Sequence, residues 1–450
     1  MRLRWIVRVG LGLAALSGSL RAAAQNPFIL NQFTADPTAR VFNGRVYVYP
    51  SHDIPCGPGR GRVGWFCMED YHVFSSANLV DWMDHGVIVT QNKVPWVQPD
   101  SYSMWAPDCV QRGGKYYFYF PSTPRDTAGG KGFRIGVAVA SQPTGPFVPQ
   151  PAPIPGVRGI DPNVFIDHDG QAYLYWSQGN IYGAKLQASM LALASAPKTL
   201  SELPTTGLKE GPYLFERKGI YYLTYPHVAN KTERLEYATS NNPLGPFKFA
   251  GVLMDEWPNG CWTNHHSITE FNHQWYLFYH HNDLSPAFDK NRSIQVDSLF
   301  FNPDGTIRKV QPTLRGVGLT DARRPIQLDR YSQLSSAGAT VAFLDSLHPF
   351  QGWKTVFTSR AGWLAYHAVA FGPQRAAIAK VRAVSATGAT LQVRLGSATG
   401  PLLARIAIPK GAAWQEVTAP VLRAAPGVQN LYVALQEEGI TAEIDWLQFN

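Results

Sequence analysis

The most regular pattern along the chain is a short strand in which aromatic residues alternate with other residues directly after a turn. This pattern occurs at residues 43–51, 113–122, 169–177, 218–226 and 272–280. Successive occurrences lie about 50 to 70 residues apart, and long helical periodicity is absent. A unit of this length built from short strands is typical of a propeller blade, so the pattern predicts an all-β, five-bladed β-propeller.

Each repeat has one position, eleven or twelve residues before its central tyrosine, that we expect to face the propeller axis. The residues there are Asp36, Ala106, Asp161, Glu210 and His265. Because the innermost strand of each blade lines the central channel, three carboxyl groups and an imidazole should converge. An isolated Asp-Pro is commonly a turn initiator, but three acids in one register would repel each other and lose solvation unless they had a function.

Such a cluster suits hydrolysis of a glycosidic bond. One carboxyl group protonates the departing oxygen, and a second activates water or attacks the anomeric carbon. A third carboxylate beside the acid raises its pKa and keeps it protonated at neutral pH. The chain also has 13 Trp, 20 Tyr and 23 Phe, enough for a core and for rings that stack on sugars. The residues therefore predict a carbohydrate-active enzyme.

The order of motifs along residues 35–307 resembles glycoside hydrolase family 43. The stretches that carry the resemblance include "ADPTARVFNGRVYVYPSHD", "MWAPDCVQRGGKYYFYFPS", "GIDPNVFIDHDGQAYLYW" and "NHHSITEFNHQWYLFYH". The resemblance implies an inverting enzyme with Asp36 as general base, Glu210 as general acid and Asp161 as the carboxylate that tunes and orients the acid. Inversion requires the base and the acid to lie roughly 6.5–9.5 Å apart.

The same resemblance implies further site residues. Arg292 matches an arginine that reaches the glycon hydroxyls. His265 matches an axial histidine that lies near a bound calcium or water cluster, although the adjacent His266 competes for this assignment. Softer candidates for the pocket wall are Trp105, Trp262 and His52. The chemistry requires no cofactor, and calcium is a candidate occupant of the propeller channel.

Members resembling this chain release α-L-arabinofuranosyl or β-D-xylosyl units from plant-type glycans, and exo action on such substrates is the leading hypothesis. A β-galactofuranosidase or an endo-arabinanase on the same scaffold is an alternative, as is a non-catalytic sugar-binding propeller. A retaining, sucrose-type propeller enzyme would also place three acids near the axis. The long insertion at residues 53–72 is expected to form a rim that blocks one side of the pocket and favours exo action.

Residues 337–450 alternate apolar and polar positions with turns about every ten residues, which predicts a β-sandwich. From "GWLAYHAVAFGP" to the terminal "IDWLQFN" this part resembles carbohydrate-binding module family 6, a jelly roll. Candidate rings for a sugar site there are Trp353, Trp363 and Trp414. Sugar binding and docking onto the propeller both stay open. The predicted organisation is a catalytic propeller at 25–315, a linker at 316–336 and this sandwich.

The N-terminus combines a basic start, an apolar run and an A-x-A-like site, which predicts a cleaved signal peptide over residues 1–24. We therefore expect an exported protein, periplasmic or extracellular, with no membrane span further along. In an oxidising compartment Cys56 and Cys67 could close a loop. For Cys109 and Cys261, a free thiol is about as reasonable as a disulfide. The net charge of +8 falls to +4 once residues 1–24, with four arginines and no acids, are removed, and no basic stripe suggests nucleic acid as a partner.

Overall fold

The computed structural model describes residues 25–128 and 130–450, which form a β-propeller followed by a β-sandwich. The predicted signal peptide lies outside the described residues. The all-β fold class is confirmed, and helix among the described residues is limited to two short 3₁₀ turns, Gln91–Lys93 and Pro349–Gln351. In this part of the chain no helix is long and apolar enough to cross a membrane.

Five antiparallel sheets, each a meander of consecutive strands, form the blades. The first contains β1 (Phe33–Phe42), β2 (Arg45–Asp53), β3 (Met68–Ser76) and β4 (Met83–Thr90). The second contains β5 (Asp108–Arg112), β6 (Lys115–Ser122), β7 (Arg134–Ala140) and β8 (Val148–Pro149). The third contains β9 (Ile160–Ile166), β10 (Ala172–Ser177), β11 (Ile181–Lys185) and β12 (Lys198–Thr199). The fourth contains β13 (Tyr213–Arg217), β14 (Ile220–Val228), β15 (Glu233–Ser240) and β16 (Lys248–Met254). The fifth contains β17 (His266–Phe271), β18 (Gln274–His281) and β19 (Ser293–Leu299).

The aromatic repeat is the second strand of every blade, and its rings fill the space between neighbouring blades. The ring of Tyr49 in β2 packs 5.8 Å from that of Phe118 in β6. Its hydroxyl donates to the carbonyl of Pro143 in the next blade at 2.7 Å, and Tyr175 donates to Pro243 in the same way at 2.6 Å. The recurring Gly-Pro-Phe turns in the sequence therefore cap tyrosines of the preceding blade.

An ion pair near the axis links the inner strands. It lies toward the end of β1, beyond the predicted acid Asp36. Arg40 in β1 contacts Asp108 in β5 at 2.6 Å and donates to the carbonyl of Val164 in β9 at 3.0 Å. Its guanidinium also lies 5.1 Å from the ring centre of Tyr213 in β13. One cation thus joins the inner strands of four blades.

The propeller closes between its fifth blade and its first. Ser267 in β17 donates to the carbonyl of Pro37 at 2.6 Å and accepts from the amide of Ala39 at 2.9 Å. Before β1, the side chain of Asn26 exchanges hydrogen bonds with the backbone of Val296 in β19, at 3.0 and 2.9 Å. Closure therefore depends on buried polar side chains that satisfy backbone groups across the seam.

The C-terminal sandwich consists of two six-stranded sheets. One sheet contains β20 (Thr320–Asp321), β22 (Gln333–Leu334), β25 (Trp363–Ala370), β27 (Ala389–Leu395), β28 (Leu402–Ile408) and β30 (Val428–Leu435). The other contains β21 (Ile326–Gln327), β23 (Ala339–Phe343), β24 (Trp353–Phe357), β26 (Ile378–Ser385), β29 (Gly411–Pro420) and β31 (Ala442–Phe449). Alternate residues of these strands, such as Leu391, Val433 and Leu447, form the core between the sheets.

The segment between the domains is partly paired rather than free. Three of its residue pairs, β20, β21 and β22, hydrogen-bond to sandwich strands. Arg330 donates to the carbonyl of Asn26, and Arg315 donates to that of His367 at 2.7 Å. The Phe33 ring lies 4.8 Å from that of Phe350. These contacts join the two domains, while the exact domain boundaries stay a prediction.

All four cysteines are free thiols in this structure. Cys56 and Cys67, which could close a loop, are not bridged here, and burial and the neighbouring Cys56 thiol raise the pKa of Cys67 to about 12. A Cβ added to Gly61 would lie 2.8 Å from the Cys67 sulfur. The insertion is therefore packed against these thiols without a covalent bond.

Replacing Ser267 by alanine should destabilise the propeller by about 2 kcal/mol or more, because a buried carbonyl and a buried amide lose their partner. The free energy of unfolding from urea titration would measure the loss. Ser141→Ala, a change at an exposed serine of the second blade, should stay within about 0.5 kcal/mol. Equal stability of the two variants would show that the seam does not depend on this hydroxyl.

Candidate active site

One cavity lies where the five inner strands begin, with a volume of about 150 Å³. All five positions identified by the repeat register line it, including Ala106. The structure therefore brings together the predicted residues Asp36, Trp105, Asp161, Glu210, Trp262, His265 and Arg292. Their convergence follows from the propeller, because each blade delivers the start of its inner strand to the same point.

Two of the acids sit at irregularities in their strands. The register of β1 against β2 shifts at Asp36-Pro37, and that of β9 against β10 shifts at Asp161-Pro162. The backbone φ is +49° at Asp36 and +57° at Asp161. Aspartate tolerates this left-handed region better than most residues. A bulge re-aims a side chain, which explains why an Asp-Pro pair recurs at both positions.

Asp36 is held as a carboxylate. Arg292 donates to its Oδ1 at 2.9 Å and to its Oδ2 at 3.3 Å, and Ser51 donates to Oδ2 at 2.7 Å. Burial is the largest single influence and would raise the pKa of Asp36, but Arg292, His280, His265 and the hydrogen bond from Ser51 together outweigh it, and the pKa falls to about 2. The group is therefore ionised at any neutral or mildly acidic pH.

Arg292 is shared between two carboxylates of the first blade. Asp53, at the end of β2, accepts from Nε and from Nη2, both at 2.9 Å. It also accepts from the backbone amide of Arg292 at 2.8 Å. Both side chains are almost completely buried. Asp53 was not among the predicted site residues. The two-residue strand period places it on the same face as Ser51, and that signal could have identified it.

Glu210 faces a second carboxyl group that the repeat register did not predict. Glu233 begins β15, the third strand of its blade, and lines the same cavity. Burial and the adjacent Glu233 carboxyl raise the pKa of Glu210 well above its ordinary value. Burial likewise raises the pKa of Glu233, to about 8. Both groups therefore favour the protonated form in the folded protein.

Asp161 lies beside Glu210. Its Oδ2 accepts from the amide of Gly211 at 3.0 Å, so it is fixed to the residue that follows Glu210. Burial and the charge of Glu210 raise the pKa of Asp161 well above its ordinary value. The carboxyl groups of Asp161, Glu210 and Glu233 thus form a coupled set that disfavours simultaneous ionisation.

Two histidines lie against the acids in neutral form. His265 Nδ1 is 4.0 Å from an oxygen of Asp36 and 4.0 Å from one of Asp161. Burial lowers its pKa to about 4. His280 accepts the amide proton of Asp36 at Nδ1, at 3.0 Å, and its other nitrogen lies 3.0 Å from the Thr263 hydroxyl. This second histidine, which was not predicted, supports the strained backbone of Asp36.

Aromatic rings form the walls of the cavity. Phe66 and Trp65 come from the predicted rim insertion, and both line the cavity. The guanidinium of Arg292 lies 4.7 Å from the centre of the Phe66 ring. Trp105 lies 6.2 Å from the Phe66 ring and packs 4.4 Å from Phe133. These rings supply flat apolar surfaces next to the acids.

Two predicted site residues do not line the cavity. His52 points to the face of β2 opposite Ser51 and bonds to Asp70 at 2.7 Å, next to His72. His266 is buried, and its Nε2 lies 2.6 Å from the Thr224 hydroxyl. Both were placed by sequence proximity to a site residue, and strand alternation turns each one away from the cavity.

The residues around His265 do not match a protein calcium site. Calcium takes about six to eight oxygen ligands, whereas His265 offers nitrogen. The nearby carboxylates of Asp36 and Asp161 are already bonded to Arg292 and to Gly211. Calcium in the channel stays a prediction, and the acid–base chemistry below does not depend on it.

A propeller whose axis holds one ionised carboxylate and a protonated acid beside aromatic walls is the framework of a glycosidase. Residues 24–307 match the profile of "Glycosyl hydrolases family 43", and residues 345–450 match "Carbohydrate binding module (family 6)". The chain therefore belongs to glycosyl hydrolase family 43, with a C-terminal family 6 module. The predicted family, fold class and enzyme class are confirmed.

Named relatives agree with this placement. A "Xylosidase/arabinosidase 43A" from Humicola insolens is 37% identical over 337 residues, which cover 64% of this chain and 99% of the relative. An "Arabinoxylan arabinofuranohydrolase" from Paenibacillus polymyxa is 28% identical over 473 residues, covering 92% of this chain and 72% of the relative. The second relative aligns with both domains.

Among solved structures, too, one relative aligns with about two thirds of this chain and another with almost all of it. A family 43 enzyme from Xanthomonas citri in complex with xylotriose has a TM-score of 0.57 and 36% identity, over 64% of this chain and 94% of its own. An arabinoxylan arabinofuranohydrolase from Bacillus subtilis in complex with cellotetraose has a TM-score of 0.56 and 25% identity, over 95% and 99% of the two chains.

The raised pKa of Glu233 makes the protein less stable as the pH rises. Below its ordinary pKa of 4.5 the group is protonated in both folded and unfolded chains; its stabilising contribution is lost as the pH rises through about 8. Glu233→Gln should flatten this part of the stability–pH profile, measured by urea unfolding at several pH values. Glu270→Gln, at an exposed position, is the control. An unchanged slope in Glu233→Gln would contradict the assignment.

Proposed function

We propose that this protein is an exo-acting, inverting glycoside hydrolase that releases α-L-arabinofuranosyl or β-D-xylosyl residues from plant-type glycans. The observation that carries the proposal is the contrast between Asp36 and Glu210 in one cavity. The environment lowers the pKa of the first and raises that of the second. Two carboxyl groups whose pKa values are shifted in opposite directions can act as base and acid at the same pH.

Asp36 is the general base in this proposal. Its carboxylate removes a proton from a water molecule as the water attacks the anomeric carbon. Arg292 and Ser51 orient the carboxylate, and the rigid bulge fixes its direction. Arg292 also lines the cavity, where its guanidinium edge is in position to meet glycon hydroxyls.

Glu210 is the general acid, and its proton goes to the oxygen that leaves with the rest of the glycan. Asp161 positions the acid through Gly211, while burial and the adjacent Glu233 keep the acid protonated. When Glu210 gives up its proton in the reaction, the coupled set can redistribute a single negative charge over three carboxyl groups.

The named relatives support a pentose as the sugar that is released. The Humicola insolens relative is named for xylosidase and arabinosidase activity, and the Xanthomonas citri structure contains xylotriose. The cavity of about 150 Å³ is of the size for one pentose ring, and Trp65 and Phe66 close one side. This enclosure favours exo action over cleavage within a chain. A relative from Aspergillus niger named a β-D-galactofuranosidase keeps that sugar as the second candidate.

Export and glycan binding by the C-terminal module complete the proposal. The basic, apolar and small-residue pattern of residues 1–24 supports secretion, to the periplasm or the medium. The match of residues 345–450 to a carbohydrate-binding family supports attachment to the same glycans. Of the candidate rings, Trp414 is half-exposed beneath the guanidinium of Arg382 at 4.9 Å.

The proposal is tested with 4-nitrophenyl glycosides of β-D-xylose, α-L-arabinofuranose and β-D-galactofuranose. We expect one or both pentosides to be hydrolysed, and Asp36→Asn to lower kcat/KM by about 10²–10⁴. Asp169→Asn, at an exposed turn, should remain active. Full activity of Asp36→Asn would exclude it as the base. Failure of the wild type on all three glycosides would contradict exo action on these sugars.

The Glu210→Gln variant tests the role of general acid independently of the role of general base. The variant should lose hydrolysis of xylotriose much more severely than that of a 4-nitrophenyl glycoside, because nitrophenolate departs with little protonation. Proton NMR at early times should show a product anomer opposite to that of the substrate. A product with the substrate's own configuration would contradict inversion and favour a retaining propeller enzyme. Equal losses on both substrates would contradict the role of Glu210 as acid.

A further inference from the structure

A second cavity adjoins the active cavity across Glu210. It has a volume of about 270 Å³, and it shares Trp105, Ile160 and Glu210 with the first. The remaining lining comes from residues 131–134, from residues 158–159 directly before β9, from residues 177–179 and from Lys209. The second cavity therefore starts at the proposed acid and leads away from the glycon.

The position of this cavity defines what it would hold. In the proposed function Glu210 donates its proton to the leaving oxygen, so the leaving group must lie beside Glu210. The cavity that contains Glu210 but not Asp36 is the space next to that oxygen. The inference that follows rests on the proposed function, since the proton donor identifies the leaving-group side.

Four cationic side chains line this cavity. They are Lys131, Arg134, Arg158 and Lys209. The acidic side chain among its lining residues is Glu210, which burial and Glu233 hold toward the protonated form. At neutral pH the walls therefore carry positive charge. A low-dielectric cleft lined by one sign of charge concentrates ligands of the opposite sign.

The two arginines are fixed close together by the backbone. Arg134 and Arg158 form an antiparallel bridge, and Phe133 accepts from the amide of Gly159 at 3.2 Å. Arg134 Nη2 donates to the carbonyl of Gly130 at 2.7 Å, and a Cβ added to Gly130 would lie 2.9 Å from Arg158 Nη1. Both guanidinium groups thus meet at one glycine.

This proximity has an electrostatic consequence. Burial and the charge of Arg158 lower the pKa of Arg134. Two cations that repel each other gain from an anion placed beside both of them, and guanidinium groups bind carboxylates with directional hydrogen bonds. A glycan partner with a carboxylate would relieve the repulsion, whereas a neutral sugar would leave it in place.

The remaining lining suits a sugar ring. Trp105 and Phe133 pack at 4.4 Å with an interplanar angle of 37°, and both line the cavity. Lys209, one residue before the acid, is almost completely buried and donates to the carbonyls of Thr206 and Gly207 at 3.3 and 3.0 Å. A cavity that combines a flat apolar wall with a group of cations suits an acidic sugar, whose ring packs on the wall and whose carboxylate meets the cations.

We propose that this cavity is a leaving-group subsite for an anionic saccharide, and that the enzyme prefers substrates whose leaving group carries a carboxylate, as in a glycan substituted with uronic acid. Arg134 and Arg158 bind the carboxylate, Lys131 and Lys209 add positive potential, and Trp105 supports the ring.

The test uses two aryl glycosides of the accepted pentose that are similar in shape and differ in charge, the 4-carboxyphenyl and the 4-carbamoylphenyl glycoside; the latter has the slightly better leaving group, which works against the expected preference. We expect kcat/KM for the carboxylate to exceed that for the amide by at least about threefold at low salt, and the ratio to fall as sodium chloride is raised. Arg158→Gln should bring the ratio toward one. Lys248→Gln removes one charge from the outermost strand of the fourth blade and should leave the ratio unchanged.

The outcomes separate the two proposals. Equal efficiencies for the charged and the neutral glycoside, or a preference that Arg158→Gln and salt leave unaltered, would overturn the anionic subsite while the glycosidase assignment stands. If folded protein hydrolyses neither these glycosides nor the 4-nitrophenyl pentosides, both proposals are overturned.

Discussion

The buried contact between Arg292 and two aspartates is the interaction on which the rest of the site depends. Arg292 precedes the last strand of the fifth blade, and Asp36 and Asp53 belong to the first. The pair therefore spans the seam where the propeller closes, beside the hydrogen bonds of Ser267. A buried cation without both partners would be strongly destabilising. Closure of the ring and ionisation of Asp36 consequently depend on the same contact.

The position of Arg292 also affects the carboxyl groups that the third and fourth blades contribute to the cavity. The single guanidinium of Arg292 pairs with both carboxyl groups of the first blade, so the acids contributed by the third and fourth blades are buried without a counter-charge of their own. Asp161, Glu210 and Glu233 respond by favouring protonation. The contrast between the ionised Asp36 and the protonated carboxyl groups is thus a consequence of where Arg292 lies, and needs no difference in the chemistry of the carboxyl groups themselves.

The surroundings of the acids come from segments between strands. The insertion after β2 brings Trp65 and Phe66 over the cavity, where Phe66 meets Trp105, and the segments beside β9 bring cations to the adjoining cavity. Blades fix the chemistry at the axis, while these connections determine which sugar fits and what leaves. This division is typical of rigid scaffolds with functional loops.

The sequence by itself determined the repeat, the number of blades and the convergence of Asp36, Asp161, Glu210 and His265, because a period in the sequence becomes a rotation about one axis in a propeller. It also indicated the sandwich, through alternation within each strand. Tertiary structure alone decided the pairing of Arg292 with Asp53, the place of Glu233 and the outward turn of His52 and His266. These depend on contacts between blades and on which face of a strand meets the cavity. A linear repeat does not carry that information, because partners more than 200 residues apart are brought together only when the ring closes.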